Sequence, residues 1–530
     1  MRLLSLLLVL VFGVAMPAFA QEEDKQDAKP VAAEEKKPAV DWVKVESTGT
    51  LSDVKGGALE KTLWKGQKRS EIEYLLQKLP ETISLRSVLS LQRRLLLSKT
   101  DSSLIDNDIG PLRGNDMLIQ RINKLMGMGL YDSAWELYTQ KAAEPYDVSI
   151  AQLGMLLLVM KDDLATACLE EKVFSGQYPS DKFFKTMDAA CSETLGIGKP
   201  GAFPDSAVLQ SVYHDASFSV SANNPQVLMK MSGLERALVF ANRKIRYDGL
   251  TRETLAKTPP MLLSLYLMDK SLPDAAKAMI KAETDVRGLS WHISAVAGDP
   301  DWKKAKDMKK DLDGQWPLVE SAINSGKNPA DLAVYYGDML SQAEPKELST
   351  KTLRNALGVF LAGGRALPDY WLDAAQKRAA ENPIFYIYLQ AFASLTPTAE
   401  AKVNPDNLKK ALERLKTADL DQILAIIETL DKEAAILNNP LRIYEKHSVL
   451  TLEGNYVMPS LGLNVLLEAA PERKQLGITV LAVLNSLAAK PDNMYSGTVR
   501  KALYSMLNVG LIEDAKLIGA ETVASVLNKY

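Results

Sequence analysis

The sequence predicts an all-α fold, and three observations carry that expectation. From Ala58 onward apolar residues recur at i, i+4 and i+7 in one segment after another, with almost none of the alternation a strand needs. One helix–turn–helix unit, carried by Leu118, Ile122, Leu125, Met126, Gly129, Leu130, Asp132, Ala134 and Leu137, returns near the other end of the chain. There it reads Val499, Leu503, Met506, Leu507, Gly510, Leu511, Glu513, Ala515 and Ile518. Asn-Pro dipeptides beginning at Asn224, Asn328, Asn382, Asn404 and Asn439 each head an apolar period. Asparagine caps free amide groups, and proline in the first turn gives up no hydrogen bond. The expected arrangement is an α-solenoid of antiparallel helical hairpins.

The chain opens on Arg2 and an apolar run over residues 3–14, then Ala18-Phe19-Ala20 before Gln21. A short charged start, an apolar core and small residues at −3 and −1 predict a signal peptide, residues 1–20, cleaved between Ala20 and Gln21. The apolar run falls short of the roughly 20 residues a membrane span needs. The expected location is periplasmic, with no transmembrane span in the mature chain. Residues 21–50 read as a disordered charged linker, since residues 21–41 combine acids and lysines with Pro30 and Pro38 and lack aromatic side chains before Trp42.

Helical blocks are expected at 51–215, 216–395 and 408–530, with a linker at 396–407 that holds Pro397 and Pro405. Trp42-Val43-Lys44-Val45 alternates as a short strand or extended arm would. Ser70 and Glu73 have capping-box spacing ahead of Ile72, Leu75, Leu76 and Leu79. Residues 153–160 and 476–489 are apolar nearly all round, as interior helices are. Glycines and prolines at 196–205 and the polar run at 217–224 mark a sub-bundle boundary. The two cysteines, Cys168 and Cys191, lie on neighbouring predicted helices, and in an oxidising compartment they form a structural disulfide. Closing such a loop stabilises by about 3 kcal/mol.

Lys and Arg total 63 against 66 acids, with a pI of about 5.9 and no basic block of five or more, so nucleic acid is not an expected partner. His214, His292 and His447 share no spacing, and no zinc, phosphate-loop or nucleophile-elbow motif is present. No catalytic residue, cofactor site or metal site is assigned. Residues 309–320 match a calcium loop at Asp311, Asp313, Gly314 and Glu320, but Lys309 stands where the first acidic ligand belongs. That stretch reads as a polar turn capping a helix.

The Gly-Leu-x-[Asp/Glu]-x-Ala turns at Gly129 and Gly510 resemble the helix junction of tetratricopeptide-like repeats, without a clean period of about 34 residues. The helical blocks also resemble the superhelical, non-catalytic domain of soluble lytic transglycosylases. Glu320-Ser321 matches that family's catalytic dipeptide, but its glycine-rich partner run is missing, so the likeness covers architecture alone. The whole chain resembles uncharacterised secreted helical proteins of Gram-negative bacteria, a likeness that carries no activity.

Tyr131, Trp135 and Tyr138 form a second stripe at i, i+4 and i+7 on the helix that carries Leu130, Ala134 and Leu137. Two apolar faces suit a helix sandwiched between neighbours; exposed, the stripe would contact a protein partner. The functional expectation is a non-catalytic, periplasmic protein-binding scaffold of the cell envelope, whose partner is an envelope protein or peptide. The alternatives are a cell-wall (peptidoglycan) binding or remodelling protein and a structural spacer.

Overall fold

The structure is a computed structural model that describes residues 41–110, 117–140, 147–198, 202–286, 300–308, 311–398, 401, 403–431, 458–488 and 494–530. The expected signal peptide with Ala20 and Gln21, the charged tail through Val40, His292, Lys309, Asn439-Pro440 and His447 lie outside those residues.

Helix follows helix, 26 among the described residues, and the fold is all-α as the apolar periods predict. The first block holds α1 (Trp42–Glu46), α2 (Arg69–Lys78), α3 (Arg86–Leu97), α4 (Met117–Gly127), α5 (Tyr131–Thr139), α6 (Val148–Met160), α7 (Leu164–Gln177), α8 (Lys182–Thr194) and α9 (Ala207–His214). Strand β1 (Val220–Ser221), α10 (Pro225–Lys230), α11 (Gly233–Ala241) and β2 (Ile245–Arg246) follow, and β1 pairs with β2 in parallel. Then come α12 (Arg252–Lys257), α13 (Pro260–Met268), α14 (Asp274–Val286), α15 (Pro300–Asp307), α16 (Leu312–Ile323), α17 (Pro329–Gln342), α18 (Thr350–Ala362), α19 (Asp369–Ala379) and α20 (Ile384–Leu395). The last block is α21 (Pro405–Leu412), α22 (Thr417–Leu430), α23 (Leu461–Glu472), α24 (Leu476–Ser486), α25 (Ser496–Asn508) and α26 (Ile512–Leu527).

Local chemistry accounts for many of the boundaries. Asn328 accepts from Ala330 N–H, Asn382 from Ile384 N–H, and Asn404 from Asp406 and Asn407 N–H, whereas Asn224 makes no such bond. Gly129 and Gly510 both adopt positive φ, 78° and 84°, where a side chain is strained. A Cβ on Gly129 would also lie 2.8 Å from the Pro260 carbonyl of α13, while the space around Gly510 is open. The first junction therefore needs glycine twice over, for its backbone and for its neighbour.

Asp41–Tyr530 forms one compact unit, because the last helices pack back on the first. α26 lies against α3, α17, α18, α20 and α22, and α24 lies against α2 and α3. The closing copy of the repeated unit thus meets the start of the chain, and Arg94 of α3 pairs with Asp514. Nearest-neighbour stacking does not by itself produce such contacts.

Polar groups lock this closure. α3 has no cap of its own; Glu521 of α26 accepts from Arg86 N–H and Ser87 N–H at 2.7 Å each and from the Ser87 hydroxyl at 2.6 Å. The Arg86 guanidinium pairs in turn with buried Asp331 of α17. α24 is capped from the start of the chain, its Gly477 N–H on the Leu63 carbonyl (3.0 Å) and its Ile478 N–H on Gln67 Oε1 (2.6 Å). Buried Arg121 of α4 donates to the carbonyls of Leu96 and Ser98 at the end of α3 and of Glu46 and Thr48 at the end of α1.

Two local expectations are corrected. Residues 42–46 are helical, started by Asp41 accepting from Lys44 N–H at 3.1 Å, and are not a strand or extended arm. Ser70 and Glu73 do not form a capping box: Asp108 takes the Ser70 N–H and hydroxyl, while Glu73 is drawn to Arg69 at 3.1 Å. Buried Arg69 also holds Glu46 at 2.5 Å, and desolvating its charge requires those carboxylates. Asp311 does cap α16, accepting from Gly314 N–H at 2.9 Å. Within the expected linker, Thr396 and Thr398 are buried and share a hydrogen bond between hydroxyls at 2.8 Å.

Candidate functional site

Cys168 of α7 and Cys191 of α8 are joined by a disulfide, in agreement with the pairing expected from sequence. The bridge cross-links the two helices near one end, and rings of Phe174, Tyr178, Phe183 and Phe184 pack near the other. α8 is thereby fixed as a wall. Its first turn, with α6 as far as Leu156, Ile119 and Asn123 of α4, the first turns of α9 and α11 and the segment 202–206, lines a cleft of about 1010 Å³.

Each of these helices begins with a cap supplied by its own sequence. Asp147 caps α6, Asp181 accepts from Phe183 and Phe184 N–H at the start of α8, and Ser206 accepts from Leu209 N–H in α9. At α11, Ser232 and Glu235 form a complete capping box. These ends need no distant partner, so nothing in their hydrogen bonding obliges the chain to cover them.

The cleft is apolar below and polar at its rim. Leu153, Leu156, Phe183, Phe203 and Leu234 supply the apolar lining. Gln152 Nε2 donates to both Asp181 oxygens at 3.1 Å, tying α6 to α8. Lys182 and Asp205 pair at 3.2 Å between α8 and the 202–206 segment, both well exposed. Glu235 Oε1 accepts from the Ser206 hydroxyl at 2.6 Å and Oε2 from Ser232 N–H at 2.8 Å. Partial burial raises the Glu235 pKa, but the bonds from Ser206 and Ser232 outweigh it and leave the carboxyl below the ordinary glutamate value. It is held ionised at neutral pH, which suits ion pairing and not proton donation.

Beyond the cleft, α6 and α11 are tied at their other ends. Asp162 accepts from Arg243 at 2.7 and 2.9 Å and pairs with Lys270 at 2.7 Å. Burial raises the Asp162 pKa, and the two cations reverse that and lower it. Arg243 also lies 3.6 Å from the fully buried carboxylate of Asp269, which accepts from the Tyr247 hydroxyl at 2.7 Å.

The aromatic stripe lies elsewhere, and two of its three members are buried. Tyr131 is 2% exposed and reaches the Met261 carbonyl at 3.4 Å; Tyr138 is 5% exposed, its hydroxyl in the space left by Gly154. Trp135, half-buried, stacks on Tyr138. α5 packs against α4 and α6, and Tyr131 and Tyr138 are buried as packing residues, as a helix sandwiched between neighbours would have them. His214, the histidine among the described residues, sits at the C-terminal end of α9 and lies 3.4 Å from Glu193. Glu320 accepts from the Thr352 hydroxyl at 3.0 Å, a helix-to-helix contact.

Sequence reasoning did not single out the cleft. Ser232 and Glu235 carry a readable S-x-x-E signal, but Phe203 and Asp205 lie in the stretch taken for a boundary, and no local pattern brings them to α8 and α11. Among the described residues, no group of three or more His, Cys, Asp and Glu is placed to hold a metal ion, and no helix is long and apolar enough to cross a membrane. Compared with protein-family models, curated proteins and solved structures, the chain has no match.

Proposed function

We propose that this is a non-catalytic, periplasmic binding protein of degenerate tetratricopeptide-like solenoid type, and that it takes a segment of another envelope protein into the cleft beside α8. The cleft carries the reading. Its volume and its apolar lining under a polar rim suit the insertion of a few side chains, and binding sites are generally concave, largely preformed and apolar with a few placed polar groups. The disulfide and the Asp162–Arg243 network support preorganisation, since a wall held before binding costs less to order. A signal peptide and a cysteine bridge suit an oxidising envelope compartment.

Site-specific photo-crosslinking in envelope extract tests it. A crosslinker at Thr186 in the cleft should capture one discrete protein, and one at exposed Tyr74 on α2 should not. Capture of peptidoglycan fragments at Thr186 would favour the cell-wall reading instead. Equal yields at both positions would reject the cleft as the binding site.

A further inference from the structure

We infer that the cleft selects a segment presenting a lysine or arginine beside apolar side chains, with Glu235 as the residue that reads the cation. This rests on the cleft being the binding site. Glu235 lines the cleft among Leu153, Leu156 and Leu234, so a ligand's apolar groups and its charge would be received within one cavity. Its two oxygens are fixed from two directions, by Ser206 at the start of α9 and Ser232 at the start of α11. A carboxylate offers about four acceptor sites; the Ser206 hydroxyl and the Ser232 N–H take one on each oxygen, and the Ser232 hydroxyl interacts with the carboxylate as well. The acceptor capacity that remains is set without further ordering, as a charge-assisted bond from a cation requires.

The other charges at the cleft do not favour an acidic ligand. Lys182 is already paired with Asp205, and both are largely solvent-exposed, so their field is screened and their pairing worth little. Lys185 is exposed as well. Glu235 is half-buried, less screened, and kept ionised by the bonds that orient it. The charge complement of the most ordered group in the cleft is therefore a cation.

The test uses three pools of fluorescein-labelled hexapeptides built from leucine, phenylalanine, serine and glycine, with lysine, norleucine or glutamate at one central position. Fluorescence anisotropy with the full chain should show the lysine pool binding about tenfold tighter than the norleucine pool, the worth of a single charge-assisted contact. The glutamate pool should bind most weakly. Glu235→Gln retains a residue able to complete the capping box, and should bring the lysine pool down to the level of the norleucine pool measured on the same variant. Equal affinities for lysine and norleucine, or a lysine preference that survives Glu235→Gln, would overturn the inference while leaving the cleft in place. Binding that is absent for every pool, or that persists unaltered in Leu156→Trp, which fills the apolar lining, would reject the cleft reading and the inference together.

Discussion

Two glutamates that cap helix starts, Glu521 and Glu235, accept from the same kinds of donor, serine hydroxyls and backbone N–H groups, and behave in opposite ways. Glu521 is fully buried between α26 and α3; desolvation raises its pKa more than the bonds from Ser87 and Arg86 lower it. Glu235 is half-buried beside the cleft, and there the hydrogen bonds win. Burial decides the sign, and burial follows from where the cap comes from. A helix capped by its own sequence can leave its end open, as α8, α9 and α11 do around the cleft. A helix capped by a residue from a remote segment must dock that segment, as α3 does with α26. The closure and the cleft are thus two outcomes of one requirement, that the first amides of a helix find acceptors.

The largest effect is expected at the closure. Asp331→Ala removes the carboxylate facing buried Arg86, and breaking a buried pair by deleting one partner costs about 3–5 kcal/mol. Urea unfolding should show that loss as a lowered midpoint; a change below about 1 kcal/mol, the scale of an exposed pair, would make the closure no more than surface packing. Next in size is the disulfide beside the cleft. The Cys168→Ala/Cys191→Ala variant should lose about 3 kcal/mol, read by thermal melting of both forms. A smaller loss would mean that the aromatic contacts at the other end already hold α8.

The pH dependence of stability separates the two glutamates. A raised folded pKa means that the folded state holds the Glu521 proton more tightly, so this group's contribution declines as pH rises from the ordinary glutamate value to its folded value, and is constant above. Glu235 has the reverse sign: its contribution is fully present above the ordinary glutamate value and is lost as pH falls through its lowered folded value. Denaturation curves from pH 3 to 8 should therefore lose their decline with rising pH in Glu521→Gln, and lose part of their acid sensitivity in Glu235→Gln. Identical pH profiles for the two variants would erase the distinction. The smallest stability effect is at the cleft's own cap: Ser232→Ala should cost about 1 kcal/mol, measured by urea unfolding. A loss as large as that of Asp331→Ala would show that this end is locked in the same way as α3.

The sequence by itself determined what depends on neighbours a few residues apart. It showed the all-α class, the interior character of α6 and α24, the Asn-Pro starts at Asn328, Asn382 and Asn404, and the Cys168–Cys191 pair on adjacent helices. It also marked Gly129 and Gly510 as turn residues, because a helix end and its glycine lie within one turn of each other. Only the tertiary structure decided which end of a helix is closed and which is open. Glu73 has the spacing of a cap and is instead drawn away by Arg69, whereas Glu521 lies mid-helix and caps α3. Tyr131 and Tyr138 of α5 became packing because neighbouring helices, α13 among them, bury them. Phe203 and Asp205, part of an apparent boundary, became a cleft wall. In each case the deciding partner is remote in sequence, and a hydrogen bond or a desolvation penalty depends on distance in space, which local periodicity does not encode.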